Sequence, residues 1–179
     1  RSMRGPKGGY TLDRPPEHEV SVWAAAMKGN HDQHGLKCTT VSSGALNPCG
    51  DVDFWRQFCK DHDFPFVTGK DGIREAMRKQ KLAVLPVLTD LAGMDSACMN
   101  LRTMAAMGVK IVKLGKVGTD SARLVKMIAQ AADLGMTFIC NTRYSALIPG
   151  KCKRIICFDT VPDSLPFPKK ADLDLVRLA

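Results

Sequence analysis

The sequence predicts an α/β domain, a three-layer α/β/α sandwich on a mainly parallel sheet. Three observations carry that expectation. Apolar runs bounded by turn residues alternate with stretches of helical period along residues 82–158. The links between them are so short that consecutive strands must run parallel through right-handed crossovers. The run "LAVLPVLT" at 82–89 is almost continuously apolar, as a strand covered on both faces has to be.

The elements follow in chain order. Residues 1–18 are rich in Gly, Pro and charge and read as a flexible lead or linker, its first residues a cloning remnant ahead of a piece of a longer protein. "VSVWAAAM" at 20–27 is a first strand candidate that also suits a short helix, and "LKCTTVS" at 36–42 is a second strand. "DVDFWRQFCKDHD" brings Phe54, Trp55, Phe58 and Cys59 onto one side of a helix with Asp51 as N-cap. The short strand "FPFV" leads to "DGIREAMRKQK". There Ile73, Ala76 and Met77 share one side, and Arg74, Arg78 and Lys81 form an opposite cationic face.

Pro86 forfeits a ladder donor inside 82–89, which implies an edge position or a bulge. A helix over 96–107 ends at Gly108 and is followed by strand "VKIVKL". A second helix starts at Asp120 or Ser121, turns Leu124, Val125, Ile128, Ala129 and Ala132 inward, and ends at Gly135 before strands "TFIC" and "RIICF". The domain thus spans 19–160, and the proline-rich stretch 161–179 is an extended tail.

Bulk composition narrows the function classes. At 179 residues and 45% hydrophobic content the chain can bury a full core without staples. No apolar run reaches the roughly 20 residues of a membrane helix, so no membrane partner is expected. Seven Cys, an odd number without a paired framework, point to a reducing intracellular compartment with mostly buried thiols. Lys and Arg outnumber Asp and Glu by 26 to 18, and the resulting +8 biases the surface toward polyanions.

One segment has metal-ligand chemistry. His31, His34 and Cys38 recur at intervals of three and four in "HDQHGLKC", and Cys49 follows in "NPCG". These ligand types and loop spacings suit a structural zinc that would pin a Gly- and Asn-rich segment, with Cys59 and His62 as substitutes. Solvated loop histidines are the bland alternative.

The strand ends hold a further pattern: "VLTD" at 87–90, "NLRTMAAMG" at 100–108, "VKIVKLG" at 109–115, "DSARLVKMIAQ" at 120–130 and "CNTRY" at 140–144. Over about a third of the chain this resembles the PIN-like ribonuclease domain at the carboxyl end of the nematode mutator three-prime to five-prime exonuclease family. The resemblance implies a cluster of carboxylates around Mg²⁺ or Mn²⁺, which activates water and holds the scissile phosphate. Asp90 falls at the first expected corner, and Asp95 or Asp120 supplies a second ligand. The corner that carries a third aspartate in the family reads Thr142-Arg143-Tyr144 here, and a neutral phenol is a poor Mg²⁺ ligand.

No catalytic metal and no nuclease activity are therefore expected of this chain. The resemblance implies an accessory role in small-RNA silencing, in the cytoplasm or a perinuclear granule, beside an exonuclease whose chemistry lies elsewhere. RNA contact needs cations rather than a metal cluster. The candidates are Lys110, Lys113, Lys116, Arg123, Lys126, Arg143, Lys151, Lys153 and Arg154, with Arg74 and Arg78 as a second cluster and Tyr144 as a stacking surface for single-stranded RNA. Leu165, Phe167, Leu173 and Leu175 in the tail are candidates for docking a protein partner. Two other readings compete with this one. The first is an active metal-dependent endoribonuclease built on Asp90, Asp95 and Asp120. The second is a kink-turn RNA binder, which "GKDGIREAMRKQKLAVLPVLTD" vaguely resembles.

Overall fold

The computed structural model describes residues 11–44, 47–89, 91, 99–114, 121–140 and 145–156. Over these the chain is α/β, with a six-stranded, wholly parallel sheet. Strands β1 (Thr11–Leu12), β2 (Cys38–Ser43), β3 (Ala83–Leu88), β4 (Ile111–Leu114), β5 (Thr137–Cys140) and β6 (Arg154–Ile156) lie side by side in chain order. Helices are α1 (Val20–His34), α2 (Pro48–Asp61), α3 (Lys70–Arg78), α4 (Met99–Ala106) and α5 (Ser121–Asp133).

Sequential order has a geometric consequence. Right-handed crossovers that always step the same way put their helices on one face of the sheet. Register assigns Val41, Val84, Leu88, Val112, Leu114, Phe138 and Cys140 to that face. There they pack with Ala24 and Met27 of α1, Trp55 and Val52 of α2, Leu101 and Met104 of α4, and Leu124 and Ile128 of α5. The second face is covered differently. The chain leaving α2 makes a single parallel bridge, Phe66 to Val84, and then turns into α3, whose Ala76 and Ile73 pack on Ala83 and Leu85. Helices on both sides of the sheet give the three-layer α/β/α arrangement.

Residues 20–27 are helical, not a strand. Glu19 accepts from the Trp23 indole at 3.1 Å one turn on, three alanines favour the helix, and Ala24 and Met27 are the buried pair. Gly35 ends α1 in the left-handed region at φ 67°, its N–H and that of Leu36 reaching back to His31 and Asn30. Helix α2 starts earlier than expected. Asn47 is the N-cap, its Oδ1 accepting from Gly50 N at 3.2 Å, and Pro48 occupies the first turn. Asp51 instead accepts from Gly44 N at 2.9 Å and ties α2 to the end of β2.

Two further expectations need correction. "FPFV" contributes one bridge rather than a strand, because the chain turns away into α3 at once. The inward arc of α5 is Leu124, Met127, Ile128, Ala131 and Ala132, whereas Val125 is 47% exposed. The helix is rotated by part of a turn from the face that its Val and Ala residues favoured.

Pro86 sits in the middle of the sheet, in register with Val41, not on an edge. Val84 N donates to Pro65 O, away from β2. Residues two apart in a strand point their N–H groups the same way, so the nitrogen of Pro86 faces the side where β3 has no registered partner between the Phe66 bridge and the Leu88–Val112 pair. The missing donor costs no ladder bond. The strand is central as a whole and edge-like at that one level.

Candidate nucleic-acid interface

A sheet of sequential order has no point at which the strand order reverses, so it lacks the crevice where ligands of doubly wound sheets bind. The two rims of this sheet differ accordingly. At the carboxyl rim, where β2 and β3 end, polar groups bond one another. Ser42 Oγ and Thr89 Oγ1 are 2.6 Å apart, Thr89 N donates to Ser43 O at 3.2 Å, and the Trp55 indole donates to Ser42 O at 3.1 Å. Ser43 Oγ is buried without a partner among the described residues. Among those residues neither Ser42 nor Thr89 bonds a histidine or carboxylate.

The amino rim is open and basic. A groove of about 1050 Å³ lies between the start of α3 and the amino ends of β4, β5 and β6. Lys110 comes just before β4 and Lys153 just before β6. Lys110 O accepts from Thr137 N at 2.8 Å and Lys153 O accepts from Phe138 N at 3.1 Å, so the sheet itself fixes both lysines on either side of β5. With strands spaced about 4.8 Å apart, their backbones stand about 10 Å from each other. Lys70, in the first turn of α3, and Lys151 complete the basic lining.

Two carboxylates also line the groove, and each has its own cation. Asp133 lies 3.6 Å from Lys151, and Asp71 lies 3.5 Å from Arg74. Among the described residues Lys70, Lys110 and Lys153 pair with no carboxylate, which leaves three uncompensated ammonium groups around one concavity.

The other basic candidates are dispersed. The face of α3 is not wholly cationic. Arg78 makes two bonds to Glu75 at 2.7 and 2.9 Å, Lys79 lies 3.1 Å from the same carboxylate, and Arg74 pairs with Asp71. Hydrogen bonds from Arg78 and then Lys79 hold the Glu75 carboxyl down to about 2. Lys81 is spent on Asp63 at 2.6 Å, and Arg154 donates to Ser145 O at 3.1 Å. Lys113 and Arg123 are engaged by other groups, and Lys126 is exposed on α5. Asp90, Asp95, Asp120, Tyr144, Lys116 and Arg143 lie outside the described residues.

The four candidate zinc ligands are not gathered. Cys38 opens β2 and Cys49 sits in the first turn of α2, beyond the other end of that strand; six residues of β2 separate the two rims by about 17 Å. His31 has Nδ1 2.6 Å from Leu36 O and Nε2 2.8 Å from Gln80 O, so both nitrogens face carbonyls and neither is free to face a metal. The ring straps the end of α1 to the turn after α3. His34 is exposed at the last turn of α1. Burial raises the Cys38 thiol above its ordinary value, and burial followed by the Asp53 carboxylate does the same for Cys49. Among the described residues no three His, Cys, Asp or Glu side chains are placed to hold a metal ion.

Sequence reasoning missed Lys70. The signal was present in "VTGKDG", a glycine turn that starts a helix, but nothing local showed that the turn would face the amino ends of strands 40 and more residues away.

Neither a family model nor a curated protein sequence matches the chain. Among solved structures, a crystal structure described as an amidohydrolase from Pseudomonas aeruginosa is similar at a TM-score of 0.52 and 13% identity. The match covers 73% of this chain and 44% of that one. The likeness is one of fold, and this chain spans less than half the length of that protein. Among the described residues no helix is long and apolar enough to cross a membrane.

Proposed function

We propose that the chain is a non-catalytic RNA-binding module which, by its resemblance to the PIN-like domain of mutator-type exonucleases, serves a linked exoribonuclease in small-RNA silencing. The observation that carries the RNA part is the convergence of Lys70, Lys110 and Lys153 in one groove whose two lining carboxylates, Asp71 and Asp133, already pair with Arg74 and Lys151. Phosphate contact of this kind needs no metal and reads no bases. The accessory role rests on Tyr144 in place of a carboxylate, and the protein partner rests on the apolar tail residues Leu165, Phe167, Leu173 and Leu175.

The test is incubation of labelled single-stranded RNA with the protein in Mn²⁺, followed by sizing of the RNA and by a retention assay. Intact, retained RNA is the expected result. Cleavage that disappears in Asp90→Ala defeats the non-catalytic reading and installs the endoribonuclease.

A second reading is favoured by the sequential parallel sheet and its likeness to the amidohydrolase: hydrolysis of an amide at the carboxyl rim, where parallel α/β barrels carry their chemistry. The Ser42–Thr89 node offers no base for it among the described residues. Turnover of simple N-acyl amino acids, with and without added Zn²⁺, decides between the two.

A further inference from the structure

We infer that the groove at the amino rim is a sequence-independent clamp for the backbone of single-stranded RNA, with Lys70, Lys110 and Lys153 as its phosphate contacts. This rests on the RNA-binding reading and names the site, the strand form and the mode of recognition. The cavity, at about 1050 Å³, is at the upper end of the usual range for one small ligand. The cations without a carboxylate partner among the described residues sit on two walls, Lys70 on the α3 side and Lys110 and Lys153 on the sheet side.

Two features set the mode of recognition. Base reading by stacking needs an exposed aromatic face. The aromatic in this lining is Phe66, which is half-buried and has the Arg56 guanidinium 5.4 Å from its ring centre. Among the described residues the clamp therefore has charge but no free stacking platform, and binding follows the phosphates. The cations line a concavity between a helix and a sheet edge. A flexible single strand bends into such a space, and a duplex, stiff over tens of nanometres, does not.

Each phosphate neutralised on a single strand contributes about −0.7 to the slope of log affinity against log salt, so three lysines give about −2. The experiment is fluorescence anisotropy with labelled A-rich and U-rich single strands and a duplex of equal length, over a series of KCl concentrations. It compares the wild-type chain with the double variant Lys70→Gln/Lys153→Gln. The expected result is similar affinity for the two single strands, weaker binding of the duplex, a wild-type slope near −2, and a slope near −0.7 in the variant.

Both lysines lie on the surface, and unchanged thermal unfolding of the variant confirms that the loss is local. RNA bound with the same slope by the variant places the contact elsewhere, which ends the clamp and keeps the RNA-binding reading. A strong preference between the single strands, or tighter binding of the duplex, also ends the clamp. No RNA bound by the wild-type chain ends both.

Discussion

Among the described residues, the carboxyl ends of β2 and β3 and the amino rim of the sheet use polar residues in opposite ways. At the carboxyl rim Ser42, Thr89, Trp55 and Asp51 spend their hydrogen bonds on one another and on nearby backbone, which joins β2, β3 and α2. At the amino rim β5 holds the backbones of Lys110 and Lys153, Lys70 lies in the first turn of α3, and the three charges have no acidic partner among the described residues. A polar cluster whose members bond one another contributes stability, offset in part by the unpartnered Ser43 Oγ, whereas a cationic one without described carboxylates contributes a field available to a ligand. Changes at the first rim should alter unfolding and leave RNA affinity alone; changes at the second should do the reverse.

The largest effect is expected from Trp55→Ala. Trp55 is fully buried between β2 and α2, and its removal takes away both packing and the bond to Ser42 O; chemical denaturation should show a loss of about 3–5 kcal/mol. Thr89→Val keeps the shape but strands the buried Ser42 hydroxyl, at a cost of about 2 kcal/mol with no change in the salt slope of RNA binding. A change of slope in that variant would break the division between the rims. Asn47→Ala removes the α2 cap, and a loss of about 1 kcal/mol is expected in the same denaturation assay.

The smallest effect is one of pH. The folded Glu75 carboxyl lies near 2, below its value in the unfolded chain, so the pairs with Arg78 and Lys79 contribute fully above the ordinary glutamate range. They are lost as pH falls toward 2. The group is exposed, so the change is confined to α3 and should be read as local amide exchange rather than as a shift of global unfolding. A Glu75→Gln variant should show no such acid dependence.

The sequence made the alternation of elements legible because period and turn chemistry are local. Gly108 and Gly135 end their helices with φ of 92° and 70°, as their positions after apolar runs predict. Strand β5 occupies the four residues expected of it. What stayed hidden depends on partners distant in the chain. Nothing near Pro86 indicates that the neighbouring strand leaves its level unpaired. Nothing near Arg74 and Arg78 weighs their carboxylates against their number. Their cationic face looked available until Asp71 and Glu75 were seen to take it.

The same limit applied to the site. Lys110, Lys151 and Lys153 were visible as charge, but their meeting with Lys70 follows from the strand order, and a one-dimensional pattern does not fix which rim a residue reaches. The spacing of His31, His34, Cys38 and Cys49 was equally plausible as chemistry. The structure places a helix end and a full strand between Cys49 and the others.

Pro86 has a mechanical consequence. Among the described residues six registered pairs join β2 to β3, and one, Leu88 with Val112, joins β3 to β4. Over those residues the β3–β4 seam is more lightly laced than the β2–β3 ladder. Under tension or mild denaturant the sheet should part there first, with backbone protons at Leu88 and Val112 exchanging ahead of those within the β2–β3 ladder.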